Sequence, residues 1–205
     1  MLDLAGVHEF VDVGLAHGLA GIVARIGEGI ASLGSQTRKL TQEEYDWANA
    51  EVFDGALPAR DKLVLTDTLG ADDRAFTFPR YDGKITLNMG PGAFADPRNY
   101  PGEAVGRTYI HELVHACQIE HASMDVALLA DAFASKVCEA TGGYPYRYSN
   151  AGPAYSSFNL EQQAQIVSDW FAGAVPPGSN QTGTPKDIDS PYFRYLIENV
   201  RIGRF

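Results

Sequence analysis

Residues 111–115 are His-Glu-Leu-Val-His, an HExxH motif with two histidines spaced four residues apart. Positions i and i+4 of an α-helix lie on one face, so the rings of His111 and His115 can reach one metal ion together. Glu112 lies beside them without having to bind the metal, and its carboxylate can accept a proton from a water that the metal polarises. The motif therefore predicts a hydrolytic zinc site built on a helix.

The residues before and within the motif predict a buried helix. Pro101 and Gly102 are typical of a helix start, and Glu103 would place a carboxylate in the first turn, where the helix dipole favours it. We therefore expect a central helix that begins near residue 101 and continues through the motif. Its broad apolar surface would consist of Ala104, Val105, Tyr109, Ile110, Leu113, Val114 and Cys117.

Length and composition restrict the class of protein. The chain has 205 residues, of which 45% are hydrophobic, which is typical of one compact domain with a substantial core. The formal net charge of −10 argues against a nucleic-acid partner, which would require a basic surface to neutralise phosphates. Only two cysteines are present, too few for a disulfide framework.

The first 36 residues are predicted to form a separate segment. They are rich in glycine and apolar residues, but Asp3, Glu9 and Asp12 interrupt the apolar pattern at intervals too short for a membrane span. These acidic residues also stand where a signal peptide has basic ones, so no signal peptide is expected. We predict an N-terminal helical segment over residues 1–36 that serves as an adaptor or packs on the rest of the chain.

Residues 37–205 are predicted to form an α+β domain. Thr41 and Glu44 match a capping box that opens a helix ending near Phe53. After the motif, Asn159 and Gln162 match a second capping box. Three short runs with strand character and three further helices are expected: strands at 62–67, 75–78 and 84–89, and helices at 124–140, 160–171 and 191–203.

A catalytic zinc needs three protein ligands, and His121 is one candidate for the third. It completes the pattern HExxHxxQxxH, which differs from the metzincin motif by Gln118 in place of glycine. That glycine lets the chain leave the helix, whereas Gln118 favours its continuation. On a continuous helix the ten residues from His111 to His121 turn through about 1000°, which places His121 about 80° from the ligand face.

Glu161 is the other candidate, and we predict it as the third ligand. It lies in the first turn of the helix that Asn159 opens, so it presents a carboxylate on a rigid element. Together with the two histidines it would give the gluzincin arrangement, HExxH followed by a distant glutamate. The competing interpretation is a carboxylate that only stabilises a helix N-terminus. The metzincin alternative with His121 remains open at this point.

A family resemblance is visible in two stretches. HELVHACQ at 111–118, followed by a tyrosine-rich connector and FNLEQQAQIVSDWF at 158–171, resembles the zincin-like metallopeptidase domains of bacterial Rhs and Vgr proteins and of contractile-injection-system cargo. The resemblance covers about residues 38–171. It implies a zincin-like domain whose small sheet packs on the motif helix, Zn²⁺ bound by His111, His115 and Glu161, and Glu112 as general base.

The same resemblance implies a biological role. A domain of this kind would hydrolyse a protein or peptide and would be secreted or injected as a toxin effector by a specialised secretion system. Its partners would then include the secretion apparatus or an immunity protein. No membrane span is expected. The alternative is a non-catalytic module in which zinc only stabilises the fold, and Glu112 argues against it because a purely structural site needs no base.

Some supporting roles have candidates in the sequence. Asp169 or Gln165 is a candidate for orienting a ligand histidine through its second ring nitrogen. In the tyrosine-rich connector, which contains Tyr144, Tyr146, Tyr148 and Tyr155, Tyr148 is the first candidate for stabilising an oxyanion. An extended substrate is expected to add to the sheet edge along residues 84–89.

Overall fold

A computed structural model of the protein describes residues 36–70, 73–80, 82–121, 146–175 and 183–205. Within these ranges the chain forms a mixed four-stranded sheet and several helices, which confirms the predicted α+β class. The predicted segment 1–36, apart from Gln36, and the predicted helix at 124–140 lie outside the described residues. None of the helices in the described ranges is long and apolar enough to cross a membrane.

The sheet contains four short strands: β1 (Thr37–Lys39), β2 (Leu63–Thr66), β3 (Phe76–Pro79) and β4 (Ile85–Asn88). Their order is β1-β2-β4-β3, with β2 and β4 parallel and the two outer pairs antiparallel. The three predicted strands are confirmed. The sequence did not predict β1, because three residues with an alternating, mostly exposed pattern carry too little hydrophobic signal.

The position of β4 contradicts the expected substrate edge. It pairs with β2 on one side and β3 on the other, and all four of its residues are buried. The prediction that residues 84–89 form an open edge is therefore wrong. Thr86 and Asn88 are buried together with Ile85 and Leu87, as in an internal strand whose backbone groups are paired on both sides. The edge strands are β1 and β3.

The α-helices within the described residues are α1 (Gln42–Ala48), α2 (Arg107–His121), α3 (Leu160–Ala172) and α4 (Phe193–Glu198). Both predicted capping boxes are present, one opening α1 and the other opening α3. A π-helical stretch, Asn49–Phe53, extends α1 to the predicted end, where Asp54 adopts a left-handed conformation with φ 51°. A short 3₁₀ turn at Val200–Ile202 follows α4 and ends at Gly203, as predicted.

The motif helix α2 begins about two turns later than predicted. Gly106 has a φ of 83°, a left-handed conformation that interrupts the helix before Arg107. A Cβ at this position would lie 2.5 Å from the Trp47 ring, so the close approach also requires glycine. Glu103 consequently lies outside the helix, and its carboxylate accepts a hydrogen bond from Arg107 at 2.6 Å. The last helix likewise begins at Phe193 rather than at residue 191.

The helix α2 is central because it packs on both the sheet and α3. Its buried residues include Leu113, Val114 and Cys117, and α3 contributes Ile166 and Val167 to the same core. Burial of each large apolar side chain stabilises the fold by about 1.5–3 kcal/mol. Apolar packing therefore holds the middle of α2 in place.

Polar contacts also show that α2 and α3 run antiparallel. Arg107, the first residue of α2, bonds to Asp169 near the end of α3 at 2.8 Å. Gln118, near the end of α2, bonds to the backbone of Leu160 at the start of α3 at 3.2 Å. The two helices are thus tied to each other near both ends.

The capping boxes provide a direct test of local stabilisation. Asn159 Oδ1 accepts a hydrogen bond from the Gln162 backbone at 2.8 Å, and Thr41 Oγ1 accepts one from the Glu44 backbone at 3.1 Å. We expect Asn159→Ala and Thr41→Ala each to lower the free energy of unfolding by about 1 kcal/mol, because each leaves a helix N-terminal N–H without its acceptor. Urea denaturation measures the change. Wild-type stability in Thr41→Ala would show that the cap of α1 contributes nothing.

Candidate metal centre

Three side chains from α2 and α3 converge on one point. His111 and His115 lie one turn apart on α2, and Glu161 lies in the first turn of α3. Glu161 Oε2 is 3.3 Å from His111 Nε2 and 3.4 Å from His115 Nε2, and the two Nε2 atoms are 3.1 Å apart. The potential ligand atoms all lie within 4.8 Å of one another, so this group can hold a metal ion.

The chemistry and exposure of the group suit a metal ion. Two imidazole nitrogens and one carboxylate oxygen form a donor set that zinc enzymes use, with a fourth position left for water or substrate. The side chains of His111, His115 and Glu161 remain 13%, 16% and 23% exposed, respectively. The group is therefore shielded by protein but still reachable from solvent.

The electrostatics of the metal-free protein favour positive charge in this group. Burial alone would lower the pKa of His115, but Glu161 and then Glu112 counteract burial and raise that pKa to about 9. Burial would raise the pKa of Glu161, whereas His115 and His111 hold it far below its usual range. A metal ion binding here would replace the His115 proton as the counter-charge of Glu161.

Glu112 is held by a residue that the sequence did not identify. It is buried, and Thr77 Oγ1 lies 2.7 Å from its Oε2 atom and 3.1 Å from its backbone carbonyl oxygen. A hydroxyl has one proton to donate, and the shorter contact is the one to the carboxylate. Thr77 lies on β3, so this bond connects the edge of the sheet to the residue that follows His111. A contact between residues 35 positions apart leaves no local sequence signal.

Gln118 is a second residue whose role at the site was missed. The sequence identified it only as a departure from the metzincin motif. In the structure it is buried, and its Oε1 atom lies 2.8 Å from Nδ1 of His115. The i, i+3 spacing on one helix was the available signal, because such residues are neighbours on the helix surface.

The residues predicted to orient a ligand histidine have other partners. Asp169 accepts hydrogen bonds from Arg107 at 2.8 Å, from Tyr148 at 2.9 Å and from Gln165 at 2.7 Å. The prediction for Asp169 and Gln165 is therefore wrong. A carboxylate near the end of α3 satisfies its lone pairs through the start of α2 and the tyrosine connector, about two turns from Glu161 along the helix.

The tyrosines of the connector differ in their distance from the two histidines and in their hydrogen-bond partners. Tyr148 donates its hydroxyl proton to Asp169, and burial together with the Asp169 charge raises its pKa, so the prediction that Tyr148 stabilises an oxyanion is wrong. The hydroxyl of Tyr155 donates to the Gln163 backbone. Among the connector tyrosines that the structure describes, Tyr146 lies beside the group of His111, His115 and Glu161, with its ring 6.2 Å from the His111 ring. Tyr144 lies outside the described residues.

His121 is separated from the metal group. The helix α2 continues through Gln118 to His121, as the helix-forming tendency of glutamine predicted. The His121 ring stacks on Phe205, with ring centroids 5.5 Å apart and an interplanar angle of 22°. In the described part of the chain, the group that can hold a metal contains Glu161 and not His121.

Comparisons with known proteins add no assignment, because a scan of protein-family models and searches of curated proteins and of solved structures gave no significant match.

Metal content provides the test of this group. Purified wild-type protein is expected to bind one zinc ion, and Glu161→Ala is expected to bind it at least about tenfold more weakly because one of three ligands is lost. His121→Ala is the matched control and should retain wild-type affinity, since its ring stacks on Phe205. Chelator competition measures both. Unchanged affinity in Glu161→Ala would rule out Glu161 as a ligand.

Proposed function

We propose that the protein is a zinc-dependent metallopeptidase of the gluzincin type that hydrolyses peptide or related amide bonds. The observation that carries the proposal is the convergence of His111, His115 and Glu161, with Glu112 held beside them. A zinc-binding group alone is compatible with a structural role. The fixed carboxylate next to it supplies the general base that hydrolysis requires.

Zinc fits the donor set of two imidazoles and one carboxylate. When bound, it would lower the pKa of a water molecule and polarise the carbonyl of the scissile bond. The role of the chain is to hold the ligands on two packed helices, so that the group is formed before substrate binds.

Glu112 is the proposed general base and acid. It accepts a proton from the attacking water and delivers it to the leaving amine, which balances the proton transfer over the reaction. Thr77 holds Oε2 of this carboxylate, so we assign proton transfer to Oε1. A positioned carboxylate contributes more to the rate than a mobile one, because no conformational entropy has to be lost to orient it during the reaction.

The geometry of the sheet supports a peptide as the substrate. β3 pairs with β4 on one side, and no other strand in the described ranges pairs with its opposite side. Thr77, which bonds to Glu112, lies on this edge strand. An extended peptide that adds to β3 would therefore pass directly beside the general base. This edge replaces residues 84–89 as the proposed substrate strand.

Tyr146 is the proposed group for stabilising the oxyanion. Its ring borders His111, and Arg74 lies close enough to donate a hydrogen bond to its hydroxyl at 3.4 Å. A guanidinium beside a phenol strengthens the phenol as a hydrogen-bond donor, which is the property that an oxyanion site requires.

The proposed biological role is that of a bacterial toxin effector. The support is the resemblance of residues 111–118 and 158–171 to the domains of Rhs, Vgr and contractile-injection-system proteins. A secretion apparatus and an immunity protein are the proposed partners. The net charge of −10 agrees with a protein rather than a nucleic acid as the target.

Glu112→Gln separates the enzyme from a zinc-stabilised structural module. We expect the variant to fold and bind zinc as the wild type does, because glutamine has the same shape and Glu112 is not a proposed ligand. Hydrolysis of a quenched-fluorescence peptide library should fall about 10²–10⁴-fold, since the general base is lost. Cleavage at the wild-type rate would refute the proposed mechanism, and an inactive wild type that binds zinc would favour the structural module.

Thr77→Val tests the positioning of the base. The substitution conserves volume but removes the hydroxyl, so kcat should fall roughly tenfold, as expected for loss of a hydrogen bond to a charged group worth about 1.5 kcal/mol. Thr77→Ser keeps the hydroxyl and should retain most of the activity. Zinc affinity should be equal in all three proteins. A Thr77→Ser variant as slow as Thr77→Val would show that the methyl group, not the hydroxyl, matters.

A further inference from the structure

We propose that Gln118 is a positioning residue that fixes the tautomer of His115 and so sets the affinity of the site for zinc. The inference rests on the proposed function of the group formed by His111, His115 and Glu161 as a zinc site. It assigns a role to the residue that separates this chain from the metzincin pattern. The tautomer follows from which atoms of two buried amides can donate and which can only accept.

Gln118 is almost completely buried, with 2% of the residue exposed, and its amide has three partners. Its Oε1 atom lies 2.8 Å from Nδ1 of His115. Its Nε2 atom donates to the backbone carbonyl oxygen of Leu160 at 3.2 Å and to Oε1 of Gln163 at 3.1 Å. The amide therefore lies between the end of α2 and the start of α3.

The orientation of the neighbouring amide is determined by its surroundings. The Nε2 atom of Gln163 faces two backbone carbonyl oxygens, those of Tyr155 at 3.3 Å and Phe158 at 2.9 Å. Carbonyl oxygens only accept hydrogen bonds, so the nitrogen of this amide must face them. The oxygen of Gln163 must then face Gln118.

The same reasoning determines the orientation of Gln118. One side of its amide faces two acceptors, the Leu160 carbonyl and the Gln163 oxygen, so that side must be the nitrogen. The remaining atom, Oε1, faces His115 and can only accept. Nδ1 of His115 must therefore carry a hydrogen, because two acceptors 2.8 Å apart would otherwise repel each other.

This tautomer is the one that a metal requires. With the hydrogen on Nδ1, the lone pair of a neutral His115 is on Nε2, which is the atom that lies 3.4 Å from Glu161 Oε2 and 3.1 Å from His111 Nε2. An acceptor on the second nitrogen of a ligand histidine also raises the basicity of the nitrogen that binds the metal. Gln118 thus prepares His115 for binding through Nε2.

Gln118 also connects two of the three proposed ligands. Leu160 and Gln163, its partners on α3, lie on either side of Glu161 in the sequence and in the first turn of that helix. The amide consequently fixes both the ring of His115 and the helix turn that carries the carboxylate. Its acceptor atom acts on the histidine, whereas its donor atom acts on the helix, and different substitutions separate these two effects.

The test compares Gln118→Met with Gln163→Met in chelator competition for zinc. Methionine at 118 matches the length of glutamine but offers no strong acceptor, so zinc affinity should fall about 10–100-fold. Gln163→Met removes one of the two acceptors that Gln118 Nε2 uses on α3 but leaves Gln118 Oε1 facing Nδ1 of His115, so its affinity should remain near that of the wild type. Gln165→Met removes an amide of α3 that bonds to Asp169, and this control should bind zinc as the wild type does.

Either of two other results overturns the proposal. Zinc binding by Gln163→Met that is as weak as in Gln118→Met would show that the donor bonds to α3, a purely structural tie, are what matter. Wild-type affinity in Gln118→Met would show that the residue has no influence on the site. Circular dichroism of the metal-free variants identifies any that fail to fold.

A second measurement needs neither a variant nor a metal. Nitrogen-15 NMR of the metal-free wild type should show His115 Nδ1 as a protonated nitrogen. The spectrum is recorded above the His115 pKa of about 9, because an imidazolium carries a hydrogen on Nδ1 whatever Gln118 does. In the neutral ring, Nε2 should then be the unprotonated nitrogen. An unprotonated Nδ1 would overturn the proposal even if zinc and peptidase activity were found. A protonated Nδ1 in a protein without zinc binding would contradict the proposed function alone.

Discussion

The antiparallel packing of α2 against α3 is the contact on which the candidate site depends. Apolar side chains of both helices form the middle of this interface, and polar pairs hold its ends. Arg107 and Asp169 join one end, and Gln118 joins the other to Leu160 and Gln163. Because the first turn of α3 lies beside the histidine face of α2, a carboxylate there reaches the same point in space as the two imidazoles.

The same helix also connects the metal group to the sheet. The side of α2 that carries Glu112 faces β3, where Thr77 holds the carboxylate. One helix therefore presents the two histidines toward α3 and Glu112, the proposed base, toward the sheet edge, so helix geometry sets the distance between Glu112 and the histidines. A separate polar cluster, in which Asp169 accepts hydrogen bonds from Arg107, Tyr148 and Gln165, holds α2 and α3 together at the end remote from Glu161.

Charge explains why the group is suited to a cation. Two carboxylates and two imidazoles in a partly buried interface would cost free energy without a compensating positive charge. In the metal-free protein the raised pKa of His115 supplies that charge as a proton. A divalent cation would supply it more fully, and its binding would then contribute to the stability of the folded chain.

The sequence by itself determined the features that depend on local spacing. These were the i, i+4 histidine pair, the two capping boxes, three of the four strands, and the continuation of the motif helix through Gln118, which disfavoured His121. Local periodicity and capping chemistry involve residues only a few positions apart, so they can be recognised in the sequence without knowledge of the tertiary structure. The start of α2 was missed because the left-handed conformation of Gly106 reflects the proximity of Trp47, a distant residue.

Only the tertiary structure decided which side chains meet across elements. Thr77 reaches Glu112 over 35 positions, Gln118 reaches Gln163 over 45, and β4 is internal because β3 folds back beside it. Asp169 had the right chemistry for a histidine partner but lies two turns too far along α3. Two side chains form a hydrogen bond only if they are close in space. Helix packing and strand order determine which side chains are close, and both are driven by the burial of apolar surface, which does not depend on the separation of residues along the chain.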